Sequence, residues 1–217
     1  GLGAALAAQY LAKGWEVLAL VRSGAGLPDG VRGVVADLSL DSARTVLRAF
    51  LEKRGAPLDL LINNAGPPAA TTGTEDAALE ELVAHFQVHC AGVLRVVQAA
   101  KPYLLQAPAP LVVNISSRLA SLTRMAAGEF ADIHSSLSYP VAKAAQNMLT
   151  IQLHRELFPL GCRVVAVHPG ALLTGYGSRD AATPVTEGAA RLMRLFAGLG
   201  PEDSGVYLDP EGGVIPW

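Results

Sequence analysis

Tyr139 and Lys143 stand four positions apart in SYPVAKAAQNML, residues 138–149, an alanine-rich stretch with a helical pattern. Residues four apart share a helix face, so a phenol and an ammonium would lie side by side. A free phenol ionises only near pH ~10, and a neighbouring cation favours the phenolate. Such a pair suits proton transfer near neutrality, with the phenol as general acid or base. The plainer reading is two amphipathic side chains with solvated tips. Pro140 fits either, because the first helical turn tolerates proline.

The choice depends on what surrounds the pair. Five short runs rich in Val, Ile and Leu, at 15–21, 33–37, 58–63, 110–116 and 163–168, are apolar on both faces. Strands of a parallel sheet covered by helices on both sides read this way. Helical patterns separate them over 2–13, 39–54, 75–105, 139–158 and 185–198, with Ser39 or Asp41 as N-cap of the second. Strand alternating with helix predicts a doubly wound α/β domain, one domain over 1–217. Each strand run ends in polar or glycine residues: VRS, ADLS, NNAG, ISSR and HPG. Ligands of open α/β sheets bind outside the carboxyl ends of the strands, so these loops should converge on one crevice.

Gly1-Leu2-Gly3 opens the chain ahead of an alanine-rich helix. Glycines there let backbone approach a pyrophosphate, whose charge the helix N-terminus favours. The strand that follows ends in Val21-Arg22-Ser23, without a carboxylate to accept from a ribose 2′-hydroxyl. An arginine pairs instead with a 2′-phosphate. This favours NADP(H) over NAD(H).

The composition excludes several function classes. The 217 residues carry a net charge of −2, with 51% hydrophobic and 17% charged residues, as a globular domain with a large core does. Near-neutrality gives no footprint for nucleic acid or an anionic membrane. No apolar run is long enough to span a bilayer. Cys90 and Cys162 form no disulfide framework and no zinc knuckle, and read as free thiols of a cytoplasmic protein.

Taken together, the motifs resemble those of the short-chain dehydrogenase/reductase family over nearly the whole chain. The matched residues are Gly1 and Gly3, Asp37, Asn63-Asn64-Ala65-Gly66, Asn114-Ile115-Ser116-Ser117, Tyr139-x-x-x-Lys143, and Pro169-Gly170 with Thr174. ISSRLASL, a long stretch before the tyrosine around GEFADIHSS, and the ending EDSGVYLDPEGGVIPW look most like the C-factor and carbonyl-reductase branch. The resemblance implies a Rossmann-type fold and reduction of a ketone or aldehyde by hydride, with Tyr139 as general acid. Lys143 would lower the tyrosine's pKa and bond the nicotinamide ribose, and Ser117 would polarise the substrate oxygen. By the same carry-over, Gly1, Leu2, Gly3, Arg22, Ser23, Asp37, Leu38, Asn63, Ala65, Gly66, Tyr139, Lys143, Pro169, Gly170, Leu172 and Thr174 would contact cofactor. For Asn63 a turn-forming role and for Asp37 an N-cap role stand beside that reading.

The family places a catalytic asparagine three residues before the glycine matched by Gly92, where it breaks the helix and holds a water in a proton relay. Here that position is His89, a donor and acceptor that titrates near neutrality. His85, His89 and Cys90 have zinc-like spacing but no third ligand on one face, so no metal is expected. His134, His154 and His168 read as loop or packing residues. Residues 68–75, 118–138 and 175–190 would line the substrate pocket, and 175–190 suits a mobile lid. Their small apolar side chains suggest an uncharged small-molecule carbonyl substrate.

In the family, a central first strand and the start of a TGxxxGxG motif precede the residue matched by Gly1. The resemblance implies that this sequence is a fragment. A central strand's neighbours would then lack partners, with poor folding and weak cofactor binding as the consequence. The resemblance also implies a homodimer or homotetramer through helices 75–105 and 139–158. Against the reductase stands a second reading: a cofactor-binding protein with weak or no turnover, acting in regulation or signalling.

Overall fold

The computed structural model describes residues 1–24, 26–68, 73–133, 135–174 and 181–217. Strand and helix alternate from the first residues. Helix α1 (Leu2–Ala12) leads into strands β1 (Leu18–Val21) and β2 (Arg32–Val35). Next come α2 (Ser42–Arg54), β3 (Leu60–Asn63), α3 (Leu79–Phe86), a π-helical segment (Gln87–Gly92) and α4 (Val93–Leu104). The second half runs β4 (Leu111–Ile115), α5 (Leu122–Ala126), α6 (Ser138–Leu157), β5 (Arg163–Val167), β6 (Leu172–Leu173), β7 (Thr183–Pro184), α7 (Val185–Gly198) and β8 (Tyr207–Leu208).

Alternation along β4 divides the core in two, because successive strand side chains face opposite sides of a sheet. Leu111, Val113 and Ile115 pack with Val165 and Val167 of β5 against Leu2 and Leu6 of α1 and Leu192 and Phe196 of α7. Val112 and Val164 face the other way, onto Leu51 of α2, Val96 and Leu104 of α4, and Leu153 and Leu157 of α6. Helices thus cover both faces, as the two-sided apolar runs predict, and every named strand pair is parallel.

The sheet is not continuous. β3, β4, β5 and β8 form one ladder, β1 and β2 another, and β6 with β7 a third. The sides of β1 and β3 that face each other line a cavity of about 460 Å³, together with Leu6 and Tyr10 of α1 and Val93 and Val96 of α4. The strands differ in burial: β4 and β5 are almost wholly buried, whereas every residue of β1 and β3 stays partly exposed.

Three boundaries differ from expectation. The long helical region begins at Leu79 rather than Glu75, because Gly73–Asp76 closes a turn through Asp76 N–H and the Gly73 carbonyl (3.3 Å). It is then interrupted by the π segment. Asp41 takes the N-cap position of α2 but caps nothing with its side chain. Its carboxylate accepts from Arg95 Nε at 2.8 Å, while Ser39 serves the Asp37 turn. α5 (Leu122–Ala126), which the sequence reading does not anticipate, precedes the GEFADIHSS stretch, within which Phe130 is buried and its ring carries the Arg118 and Arg124 guanidinium groups. Among the described residues no helix is long and apolar enough to cross a membrane.

Candidate active site

Ser117 lies two residues beyond β4 and Tyr139 lies in the first turn of α6. Both ends are fixed locally. Ser117 Oγ accepts from Leu119 N–H (3.3 Å), capping a 3₁₀ turn, and its carbonyl takes the Tyr207 hydroxyl. Ser136 Oγ accepts from Tyr139 N–H (3.1 Å), settling one of the donors a helix start leaves free. The structure brings the two together: burial pushes the Tyr139 phenol up from its ordinary value, and a hydrogen bond with Ser117 pulls it partly back.

Lys143, one turn on, is 4% exposed. Its Nζ donates to the Ile115 carbonyl (2.6 Å) and to Gln146 Oε1 (2.9 Å), and lies 5.9 Å from the centre of the Tyr139 ring. Burial brings the ammonium down to about 7, with Cys90 acting the other way. The expected lowering of the tyrosine by the lysine is therefore not what this protein shows on its own. Burial dominates at both groups, and the ammonium spends its hydrogen bonds on Ile115 and Gln146.

A polar network behind the pair was not found from the sequence. Asn63 Nδ2 donates to Asn114 Oδ1 (2.8 Å), Asn114 Nδ2 to Thr150 Oγ1 (2.9 Å), and Ser116 Oγ to Asn147 Oδ1 (2.6 Å). These bonds tie the ends of β3 and β4 to α6. Gln146, Asn147 and Thr150 fall on the Lys143 face of α6 at offsets of three, four and seven, a helical signal that could have found them. Tyr207 and its stacking partner Trp217 (5.4 Å) had no comparable signal.

His89 lies in the π segment. Such bulges recur at functional sites, and this one forms without the asparagine the resemblance associates with a break. The His89 ring stacks on His85 (centroids 5.5 Å) and meets Tyr139 edge-on (5.9 Å). Burial pushes His89 down to about 2, with Lys143 and His85 adding to the effect, so it does not titrate near neutrality as its type suggests. Among the described residues no group of three metal-ligating side chains gathers. His154 bonds Ser204 (2.8 Å), and His168 is half-buried and held down to about 4, first by desolvation.

The residues assigned to a cofactor fit a dinucleotide. Gly1 is the N-cap of α1, with no side chain capping the free amides there. A Cβ on Gly3 would come within 2.8 Å of Asn64 Nδ2, so glycine allows α1 to approach the Asn63-Asn64-Ala65-Gly66 loop. A Cβ on Gly66 would meet His89 Cε1 at 2.7 Å. Arg22 and Ser23 are exposed just beyond β1. Asp37 accepts from the backbone and hydroxyl of Ser39, the capping contact its N-cap reading expects, and lies within the field of Arg22. Leu38 follows, its carbonyl held by Arg95 (3.0 Å). Pro169 and Gly170 follow β5, and Thr174 N–H donates to the Leu172 carbonyl (2.8 Å). Residues 69–72, His134 and 175–180 lie outside the described residues. The rest of the expected lid is ordered structure: Thr183–Pro184 pairs with β6, and residues from Val185 onward are helical.

The sequence pattern of the short chain dehydrogenase family matches residues 1–184. The chain belongs to the short-chain dehydrogenase/reductase family. Its relatives bear on this enzyme's chemistry. C-signal from Myxococcus xanthus is 33% identical over 161 residues, 74% of this chain and 93% of that protein. The NADPH-bound carbonyl reductase from chicken fatty liver superposes with a TM-score of 0.90 at 25% identity, covering 100% of this chain and 95% of that one. A short chain dehydrogenase from Burkholderia cenocepacia in complex with NADP gives 0.79 at 28% identity, covering 98% and 93%. This short-chain dehydrogenase/reductase is an NAD(P)-dependent oxidoreductase that binds a nicotinamide cofactor.

Proposed function

We propose that this enzyme uses NADPH to reduce the carbonyl of a small uncharged ketone or aldehyde. The observation that carries the reading is the meeting of Ser117, Tyr139 and Lys143 where β4 ends against α6. NADPH supplies the hydride. Ser117 Oγ donates to the substrate oxygen and holds it beside the phenol, where charge develops. Tyr139 Oη gives its proton to that oxygen. Lys143 would bond the nicotinamide ribose of the bound cofactor and stabilise the phenolate left behind. Arg22, exposed beyond β1 with Asp37 close by, takes the 2′-phosphate and sets the preference for NADPH. The similarity to an NADPH-bound carbonyl reductase supports this assignment. Exposed Leu79 and Val83 on α3 and Val141 and Met148 on α6 support self-association through these helices.

A second reading, a cofactor-binding protein with little turnover, is favoured by the sealed, neutral His89 and by the similarity to C-signal. One experiment separates the two. Fluorescence titration gives the affinities for NADPH and NADH, and NADPH consumption is followed with a panel of ketones and aldehydes. Tighter NADPH binding with turnover that Tyr139→Phe abolishes supports the reductase. Binding without turnover on any substrate favours the second reading, and tighter NADH binding contradicts the role given to Arg22.

A further inference from the structure

Ser117 stands where the sheet stops holding the chain. The β4 ladder ends at Ser116, whose N–H reaches the Val167 carbonyl (2.7 Å). The next residues, 117–123, comprise the 3₁₀ turn and the start of α5. A separate segment, residues 215–217, holds them from outside. After β8 the chain turns on Asp209, whose Oδ1 accepts from Glu211 and Gly213 N–H (2.8 and 2.9 Å), with Gly212 at φ 90°. It then runs back beside β8, with Val214 bridged antiparallel to Leu208 and Ile215 N–H on the Tyr207 carbonyl (2.7 Å).

This returning segment grips both ends of 117–123. At the α5 end, the Trp217 carbonyl accepts from Thr123 N–H (3.0 Å) and Thr123 Oγ1 (2.7 Å). The Pro216 carbonyl accepts from Ser121 Oγ, which leaves that oxygen's lone pairs to accept from Arg124 N–H and cap α5. At the other end, the Trp217 ring lies on the Tyr207 ring, with centroids 5.4 Å apart and planes at 25°. The Ser117 carbonyl closes its turn with Ala120 N–H (2.8 Å) and also takes the Tyr207 hydroxyl. Phenylalanine at position 207 would stack on Trp217 as well. The hydroxyl adds the reach to Ser117, and a buried hydroxyl is costly without such a partner.

We propose that Trp217 is a positioning residue for the reduction: with Ile215 and Pro216 it forms a strap that fixes segment 117–123 at both ends and so sets Ser117 Oγ against the Tyr139 hydroxyl. The strap rests on the reductase reading. A displacement of about 1 Å in a group that orients substrate costs about 10²-fold in rate, and beyond Ser116 the sheet itself does not prevent one. The Tyr139 phenol faces His85 and His89 from α3 and the π segment, Lys143 on its own helix, Tyr207 from β8 and Ser117 beyond β4. Of these, the strap touches Tyr207 directly and Ser117 through it. The Ser117 bond pulls the phenol down against burial, so a loosened strap lets the phenol rise. No residue assigned to the cofactor lies in 117–123, which makes cofactor affinity an internal control.

The test compares the full chain with Trp217→Ala, which removes the stack, and Trp217→Phe, which keeps one. Trp217→Ala should lose about tenfold or more in kcat, with NADPH affinity unchanged by fluorescence titration. Reduction needs the protonated phenol, so the alkaline limb of kcat should move to higher pH. Trp217→Phe should restore most of both. Thr123→Val removes only an exposed side-chain bond to the strap, and it should show the same shifts at smaller size if Trp217→Ala does not fold. Full kcat, or a fall with an unmoved limb, overturns the strap. A second readout needs no turnover, and so separates failure of the strap from failure of the reductase reading. In proteins labelled with carbon-13 at tyrosine Cζ, the Tyr139 signal, assigned with Tyr139→Phe, should move in Trp217→Ala and hold in Trp217→Phe. Tyr103, packed in the core around Val112 and Val164, should not move. That pattern in proteins that reduce no carbonyl leaves the strap standing and contradicts the reductase reading. A Tyr139 signal that stays in place, or moves together with Tyr103, overturns the strap.

Discussion

Lys143 reaches from α6 to the last residue of β4, its Nζ 2.6 Å from the Ile115 carbonyl. That bond joins the helix carrying Tyr139 to the strand end carrying Ser117. It also places a cation where water cannot reach it, and burial brings its pKa from 10.5 to about 7. The unfolded chain therefore holds this proton more tightly than the folded one. Between about pH 7 and 10.5 the unfolded state binds more protons, so this group makes stability rise with pH across that window. Urea midpoints at pH 7 and pH 10 should show the rise in the unaltered protein relative to Lys143→Met. Parallel behaviour of the two proteins would contradict it.

Tyr139→Phe removes the proton donor and keeps the ring that His85 and His89 meet edge-on. It should lower kcat by about 10²- to 10⁴-fold, the usual worth of a positioned acid, with NADPH affinity nearly unchanged by fluorescence titration.

Tyr207 acts on the site from a distance. Its hydroxyl bonds the Ser117 carbonyl, and its ring, wholly buried, stacks on Trp217. Tyr207→Phe keeps the stack and strips the carbonyl of its partner. A loss of about 1–3 kcal/mol of stability is expected by urea denaturation, with a fall in kcat as Ser117 loosens.

Two glycines should tolerate alanine unequally. At Gly66 the added Cβ meets a wholly buried imidazole at 2.7 Å, and His89 has no space to retreat. At Gly3 the obstacle is the terminal amide of Asn64, at 2.8 Å, on a side chain that can turn. Gly66→Ala should lower the melting temperature more than Gly3→Ala. Equal losses would contradict the packing described around His89.

The divided sheet has a signature in hydrogen exchange. Val112, Val113, Val164 and Val165 lie in β4 and β5, which are laddered on both sides, and their amides should exchange slowest. Amides of β1 and β3, each laddered on one side only, should exchange much faster. Equal protection across these four strands would contradict the division between β1 and β3.

The helices over both faces, the five parallel strands and the loops that gather at their carboxyl ends could be read from the sequence, because apolar two-sided runs and polar run ends are local signals. Tyr139, Lys143 and Ser117 were legible for the same reason, through a spacing of four and a position after a strand. Tertiary effects were not. The Glu75 start of the long helix lost to a turn at Gly73. The help Lys143 was expected to give Tyr139 lost to burial at both groups. The Asn114–Thr150 bond joins residues 36 apart and leaves no mark in either segment alone. His89 was recognised as a departure from the family pattern, but its stacking on His85 emerged only with the packing of α3 against α6.

The central claim is hydride transfer from NADPH to a carbonyl carbon with Tyr139 as proton donor. Its most direct test incubates the protein with NADPH deuterated at the transferring C4 position and a pool of ketones and aldehydes, then reads the alcohols by mass spectrometry. The account predicts an alcohol carrying one deuterium on its carbinol carbon, formed by the unaltered protein and not by Tyr139→Phe. Unlabelled alcohol, or label transfer that survives the Tyr139→Phe substitution at full rate, would contradict it.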